Sequence, residues 1–249
     1  MTTLLPDRTT ARRTALVVTA APGRARVRTS ATGDPTSPCL RPMLIDSGPQ
    51  RARVALVPDG ALLLAGDAIR LYVEVGAGVR LELVEPAGTV AFDMRGAEAT
   101  WDVRIDLAEG ATLVWAGEPF VRAAGARVRR STSVRLGVGS RLALRETLVL
   151  GRHRERGGLL EQTWSAYGPG DVPVLVEQLL LDETARRPGV LGRHRALGSV
   201  VALGVPVADE VCADGRLDLE HGGTVWRGLA HEAHRAGPAD AWRAVLDAC

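Results

Sequence analysis

Three stretches of the chain follow one plan: VEVGAGVRLEL (73–83), IDLAEGATLVW (105–115) and VRLGVGSRLAL (134–144). In each, two apolar residues alternate with other residues and a glycine follows three positions later. A compact residue comes next, and two more apolar residues then alternate. The glycines are Gly78, Gly110 and Gly139, spaced 32 and 29 residues apart. Alternation with period two is the pattern of a strand with one buried face. A glycine between two such runs supplies the positive φ of a tight turn. A unit repeated at nearly constant spacing cannot bury its apolar face alone, so it stacks on its copies. PDGALLL (58–64) reads as a worn fourth copy. The expected fold class is therefore all-β: repetitive stacked strands, β-helix-like, in one domain spanning 1–249.

Outside the repeats, Gly and Pro still interrupt the chain every eight to twelve residues. A first strand is expected over Ala15–Thr19 and a loop over 29–38 (TSATGDPTSP), within a β-rich core of 15–220. The C-terminal part, 224–249, reads as helical. In TVWRGLAHEAHRAG, Trp226, Leu229, Ala230 and Ala233 follow helical spacing, and Gly237-Pro238 ends that helix. A second short helix places Trp242, Val245 and Leu246 on one face.

Composition narrows the function classes. With 46% apolar residues the chain can bury a core, and a net charge of +2 implies no strong attraction to nucleic acid or membrane. Every basic residue is arginine, which reflects codon bias more than chemistry. Cys39, Cys212 and Cys249 are odd in number and far apart, which argues for a reducing, cytoplasmic setting and against a disulfide framework. Arg12-Arg13 precedes an apolar stretch too short and polar for an export leader, and no apolar run reaches membrane-spanning length. There is no Gly-x-Ser-x-Gly, no Walker loop and no Gly-x-Gly-x-x-Gly between strand and helix. His231 and His234 lie three apart, but no closed Cys/His set exists. The reading is a protein that is not an enzyme and holds no cofactor tightly.

Two features remain. Glu146 is in phase with Leu142, Leu144, Leu148 and Leu150 on the apolar face of a strand. A carboxylate there must be paired, hydrogen-bonded or protonated. Arg152 is next in phase, and a neighbouring strand is an alternative source of an arginine. Either an ion pair fixes strand register, or Glu146 lines a wet interior where its oxygens meet a cation transiently. Glu177, in phase with Leu175, Leu179 and Leu181, repeats the situation, and His153 adds a transient ligand near the strand end. The second feature is Gly151–Gly158 (GRHRERGG). It is either a solvated loop or a docking loop that presents Arg152, His153, Arg154, Glu155 and Arg156 to a partner protein.

The order of these elements resembles the urease accessory protein UreD (UreH) family, over roughly residues 45–185. GDAIRLYVEVGAG (66–78) stands where that family has a Gly-Asp strand leading to a glycine turn. LVWAGEPFVRAAGARVRRSTSVRL (113–136) follows with Glu118-Pro119, and ETLVLGR (146–152) supplies a glutamate strand ending in Gly-Arg. The chain departs from the pattern at EPAGTVAF (85–92), at Ala116-Gly117 and at Gly157-Gly158. The resemblance implies a maturation chaperone with a stacked β core and a small helical part. It implies binding to UreF, which holds the GTPase UreG, and contact with apo-urease. It also implies transient passage of Ni²⁺ through an internal polar tunnel, and two copies in the complex. A β-repeat carbohydrate- or ligand-binding protein is the alternative, and it requires a row of exposed aromatics.

Overall fold

A computed structural model describes residues 11–60, 62–211 and 214–249. The chain coils between two facing sheets. Strands β1 (Arg13–Thr19) and β2 (Arg26–Thr32) form an antiparallel hairpin at one edge of the first sheet. Strands β3 (Cys39–Gly48) and β4 (Arg51–Asp59) form another at one edge of the second. The coil proper follows: β5 (Ala68–Val75), β6 (Arg80–Val84), β7 (Thr89–Ala91), β8 (Ala99–Leu107), β9 (Thr112–Ala116), β10 (Phe120–Arg122), β11 (Arg127–Leu136) and β12 (Arg141–Leu150). Then come β13 (Leu159–Tyr167), β14 (Pro173–Leu181), β15 (Ala196–Leu203), β16 (Arg216–Leu219), β17 (Gly223–Ala230) and two helices, α1 (Ala233–Ala236) and α2 (Ala239–Ala248). The first sheet runs β14-β13-β11-β8-β5-β1-β2. The second runs β16-β17-β15-β12-β9-β6-β4-β3, with β7 and β10 extending it beside β12.

The sequence repeats are the arches β5–β6, β8–β9 and β11–β12, each crossing from the first sheet to the second. Stacking puts equivalent residues side by side in parallel register: Val73 by Ile105 by Val134, and Leu81 by Leu113 by Leu142. Gly78, Gly110 and Gly139 all turn with positive φ, at 65°, 63° and 64°. The turns bond upward through the stack, Gly78 N to Glu109 O and Gly110 N to Val138 O, each at 2.9 Å. The alternating apolar residues meet between the sheets, where Val73, Leu81, Ile105, Leu113 and Leu142 are wholly buried.

PDGALLL is not a fourth arch. The layer below Gly78 is the β3–β4 hairpin turn, whose Gln50 O accepts from Arg80 N at 2.8 Å. Gly60 turns at the opposite side of the coil, and Leu63 there exchanges bonds with Val90 and Phe92. Both sides of the coil use glycine turns between apolar runs, so the same pattern marks both. The expected loop at 29–38 is shorter than read, because residues 29–32 pair with β1 as an edge strand.

The C-terminal part differs most from expectation. Thr224 to Ala230 is strand, not helix: β17 pairs with β15 over its full length, from Leu203–Gly223 to Ala196–Ala230. Strand residues here are covered on both faces, Val225 by the main core and Trp226 by α2. Burial on both sides erases the period of two. Gly198 and Gly228 are register partners, and a Cβ on either would lie 2.3 or 2.2 Å from Ala236 O. Only paired glycines allow α1 to rest directly on the sheet. Both expected C-terminal helices exist, the first reduced to α1 at the end of its expected span and the second as α2, with Trp242 and Val245 buried. None of the helices of the described residues is long and apolar enough to cross a membrane.

Candidate functional site

Glu146 lies on the inner face of β12, 9% exposed. Its partner comes from across the sandwich: Arg130 Nη1 of β11 is 2.7 Å from Glu146 Oε1. Gln162 Nε2 of β13 donates to the other oxygen at 2.7 Å, and Gln162 Oε1 accepts from Arg130 at 3.4 Å. Arg130 also stacks over Phe120, 4.6 Å from the ring centre. Arg152 is not that partner. The strand ends at Leu150, Gly151 turns the chain at φ 84°, and Arg152 pairs instead with Glu155 at 2.7 Å.

Glu177 repeats the arrangement from the other sheet. Arg227 Nη2 of β17 donates to both of its oxygens at 2.7 and 2.5 Å, and Arg227 Nη1 donates to Ser199 Oγ at 2.9 Å. Register joins the two pairs, because Glu146, Ser199 and Arg227 are direct neighbours on β12, β15 and β17. Six strands thus contribute Arg130, Glu146, Gln162, Glu177, Ser199 and Arg227 to one polar row across an apolar interior. Arg130 and Glu146, largely removed from water, are tolerated there because each meets an opposite charge and further hydrogen bonds, while Glu177, on the edge strand β14, keeps 32% of its side chain exposed.

One end of the row opens into a cavity of about 40 Å³ bounded by Glu85, Trp101, Trp115, Arg130, Glu146 and Trp164. That is room for a few water molecules. Burial raises the pKa of Glu85 above the ordinary carboxylate value, partly opposed by donors from Glu118 N and Trp115 Nε1. Outside the sheet, a groove of about 680 Å³ runs beneath α1 and α2, and it shares Gly117, Glu118 and Arg145 with the cavity. Gly117 is needed at this junction, since a Cβ would come within 2.6 Å of Arg145 O. Arg145 lies 3.9 Å from Glu118 and stacks over Trp242 at 5.5 Å.

The GRHRERGG loop is compact. Glu155 folds back, pairing with Arg152 and accepting from Arg152 N and Ala124 N, each at 3.1 Å. Arg152 foremost, and these amides, lower its pKa to about 2. The depressed value means that Glu155 stabilises the fold above the ordinary value of 4.5 and loses this contribution as pH falls toward 2. In urea melts, Glu155→Gln is therefore expected to be less stable than wild type at pH 7, with the gap closing as the pH falls through that window. A constant gap would show that Glu155 acts by packing instead. Arg152, His153, Arg154 and Arg156 are exposed.

The fold thus unites Glu146 and Glu177 in one row and leaves His153 apart in the exposed loop. Sequence reading missed Arg130, Gln162, Arg227 and Glu85. The signal was available for the first three: Arg130 is in phase with Val128 and Val134, Gln162 with Leu160 and Trp164, and Arg227 with Val225. Among the described residues, no three His, Cys, Asp or Glu are grouped to hold a metal ion. The aromatics do not form an exposed row: Trp101, Trp115 and Trp164 are buried, and Tyr72 lies between the guanidiniums of Arg13 and Arg104.

Fold and site together define a coiled β-stack with a paired polar row through its interior. Its relatives specify the family. The UreD urease accessory protein family profile matches residues 11–247, and the chain belongs to that family. It is 53% identical over 156 residues to the urease accessory protein UreD 1 of Streptomyces griseus, covering 62% of this chain and 61% of that protein. Identity is 37% over 157 residues to UreD 2 of Saccharopolyspora erythraea, covering 61% of this chain and 54% of the relative. It is 38% over 214 residues to UreD of Frankia alni, covering 76% and 72%. The chain thus spans between half and two thirds of the length of the first two relatives.

Proposed function

We propose that this chain is a urease maturation chaperone: a cytoplasmic scaffold, without chemistry of its own, that helps deliver Ni²⁺ to apo-urease. UreF binds it directly, UreG joins through UreF, and two copies stand in the complex. Residues Arg152 to Arg156 form a docking loop, with Arg152, His153, Arg154 and Arg156 exposed. The nickel ion is cargo, and it moves along the interior polar row. The observation that carries this reading is the row itself. Paired charges span a sandwich that apolar residues would fill with equal or better stability, and the row reaches a cavity with room for a few waters beside the groove under the C-terminal helices. Carboxylate oxygens already engaged by arginine bind a borderline cation only weakly and transiently, which suits passage. Glu146 and Glu177 are the passing ligands, and His153 is a surface contact near the docking loop.

The test replaces the network as a unit, with Arg130→Met, Glu146→Leu and Gln162→Leu together. The triple variant is expected to fold with a Tm close to wild type, because no buried polar group is left unpaired. It is also expected to bind the co-expressed accessory partners while failing to support nickel-dependent activation of apo-urease. Full activation by a stable triple variant would end the conduit reading.

A further inference from the structure

Two five-residue sequences in the chain are identical: Leu150–Arg154 and Leu191–Arg195 both read Leu-Gly-Arg-His-Arg. The fold sets them side by side at the end of the stack opposite the Gly78 arches. Leu150 N donates to Arg195 O at 2.7 Å. The last arginine of the second copy staples the first, since Arg195 Nη2 reaches the carbonyls of Gly151 and Arg152 at 3.0 and 2.6 Å. Arg186 does the same for Glu155 O and Arg156 O, at 3.3 and 3.4 Å. Beneath them Arg122, fully buried, donates to Gly158 O at 2.5 Å and to Leu181 O. Burial, and then the charge of Arg186, lower its pKa to about 10. Among the described residues, these three guanidiniums are thus held by carbonyl oxygens and not by a carboxylate.

The remaining arginines face water. Arg154, Arg156, Arg187 and Arg193 are exposed, and among the described residues no carboxylate pairs with any of them. Of the acids in the two segments, Glu155 is turned back on Arg152 and Asp182 accepts from Thr184, which leaves the exposed Glu183 four residues before Arg187. Residues 151–158 and 182–195 together hold seven arginines and two histidines against three carboxylates, a local excess of four charges in a chain whose total is +2. The backbone that presents them is closely packed. A Cβ on Gly151 would stand 2.6 Å from Glu155 O, one on Gly157 2.8 Å from Gly151 N, and one on Gly158 2.0 Å from Ala126 O. Arg154 itself is held at φ 64°, a conformation that costs a non-glycine residue energy and persists only where its surroundings enforce it.

We propose that these two segments form one composite docking surface for an acidic segment of a partner protein, with its carboxylates on Arg154, Arg156, Arg187 and Arg193 and an apolar side chain against Val190. This deepens the docking role given above to Arg152–Arg156 and rests on it. Val190 is 53% exposed in the midst of the basic residues, and arginine is enriched in protein–protein contacts relative to the rest of a protein surface. A single-stranded nucleic acid would be held in part by exposed rings on which its bases stack. The aromatic ring at this end, Phe92, is already covered by the Arg152 guanidinium, 6.0 Å from its centre.

The experiment reads fluorescence anisotropy of a labelled peptide of alternating Glu and Leu with the full chain, against a Lys-Leu counterpart and an oligo-dT strand. Arg187→Glu with Arg193→Glu alters only the second segment. It is expected to leave the Tm unchanged, to weaken the Glu-Leu peptide about tenfold or more, and to gain affinity for the Lys-Leu peptide. It should also weaken co-purification of the accessory partner. If this variant leaves both peptide and partner bound while Arg154→Glu with Arg156→Glu releases them, the composite surface is wrong and the loop docks alone. If neither pair matters, the docking reading falls as well. Oligo-dT binding equal to that of the Glu-Leu peptide would overturn the assignment to a protein partner.

Discussion

Arg130→Ala is expected to lower the unfolding free energy by about 3–5 kcal/mol, because it strands a charge in the interior. Glu146 is 9% exposed, and its two oxygens are satisfied by Arg130 at 2.7 Å and Gln162 at 2.7 Å. Without the guanidinium, Gln162 alone faces a carboxylate in an apolar sandwich, and the stacking of Arg130 on Phe120 is lost too. The carboxylate then draws water in from the adjoining cavity, at a cost in stability. Glu146→Ala should cost a similar amount for the mirrored reason, leaving Arg130 buried without its charge partner. An activation defect in either single variant therefore says little about a conduit, whereas the apolar triple replacement separates transport from folding. Urea melts at pH 7 decide the matter. A loss below about 1 kcal/mol for Arg130→Ala would place the pair in an environment as wet as a surface salt bridge, and the row would not be an interior feature at all.

The arches were legible because three independent constraints fall on the same residues. Alternation fixes which face is buried, Gly78, Gly110 and Gly139 fix the turn, and similar spacing fixes the stacking partner. Glu146 was legible as a buried carboxylate because period two places it firmly on the inner face of β12. Its partner was not. Arg130 is sixteen residues away and on the opposite sheet, and phase within one strand says nothing about what faces it across a sandwich. Arg152 was in phase in the sequence, but its strand had already ended at Leu150. The C-terminal strand was misread for a related reason. β15 is buried at every position, and β17 places Val225 and Trp226 in two different cores. When both faces of a strand are covered, alternation disappears and short apolar runs fit a helix equally well. The match between the two Leu-Gly-Arg-His-Arg copies went unremarked in the sequence reading, and their adjacency depends on β12 pairing with β15.

Trp226→Ala is expected to cost about 3–5 kcal/mol, the range for removing a large aromatic from a closed core. Trp226 is wholly buried on the outer face of the second sheet, in a cluster with Val200, Ala202, Trp242 and Val245 that is separate from the core between the sheets. The guanidinium of Arg216 stands 5.5 Å from its ring. Because the cluster is distinct, the damage should be local. The arches are bonded to one another without this residue, so α2 should loosen while the coil stays folded. Hydrogen exchange can show this: amides of Ala239–Ala248 should lose protection well before those of β5, β8 and β11. Uniform loss across the chain would mean that the helices and the coil unfold as one unit. The site feels the same change. Trp242 forms part of the groove that shares Gly117, Glu118 and Arg145 with the inner cavity, and it carries the Arg145 guanidinium on its ring. Freeing α2 releases that guanidinium and opens the cavity to solvent on this side. A Trp226→Ala chain that is still folded should therefore bind its partners through the distant basic end yet activate urease poorly. Normal activation despite a detached α2 would show that the groove beneath the helices is no part of the nickel path.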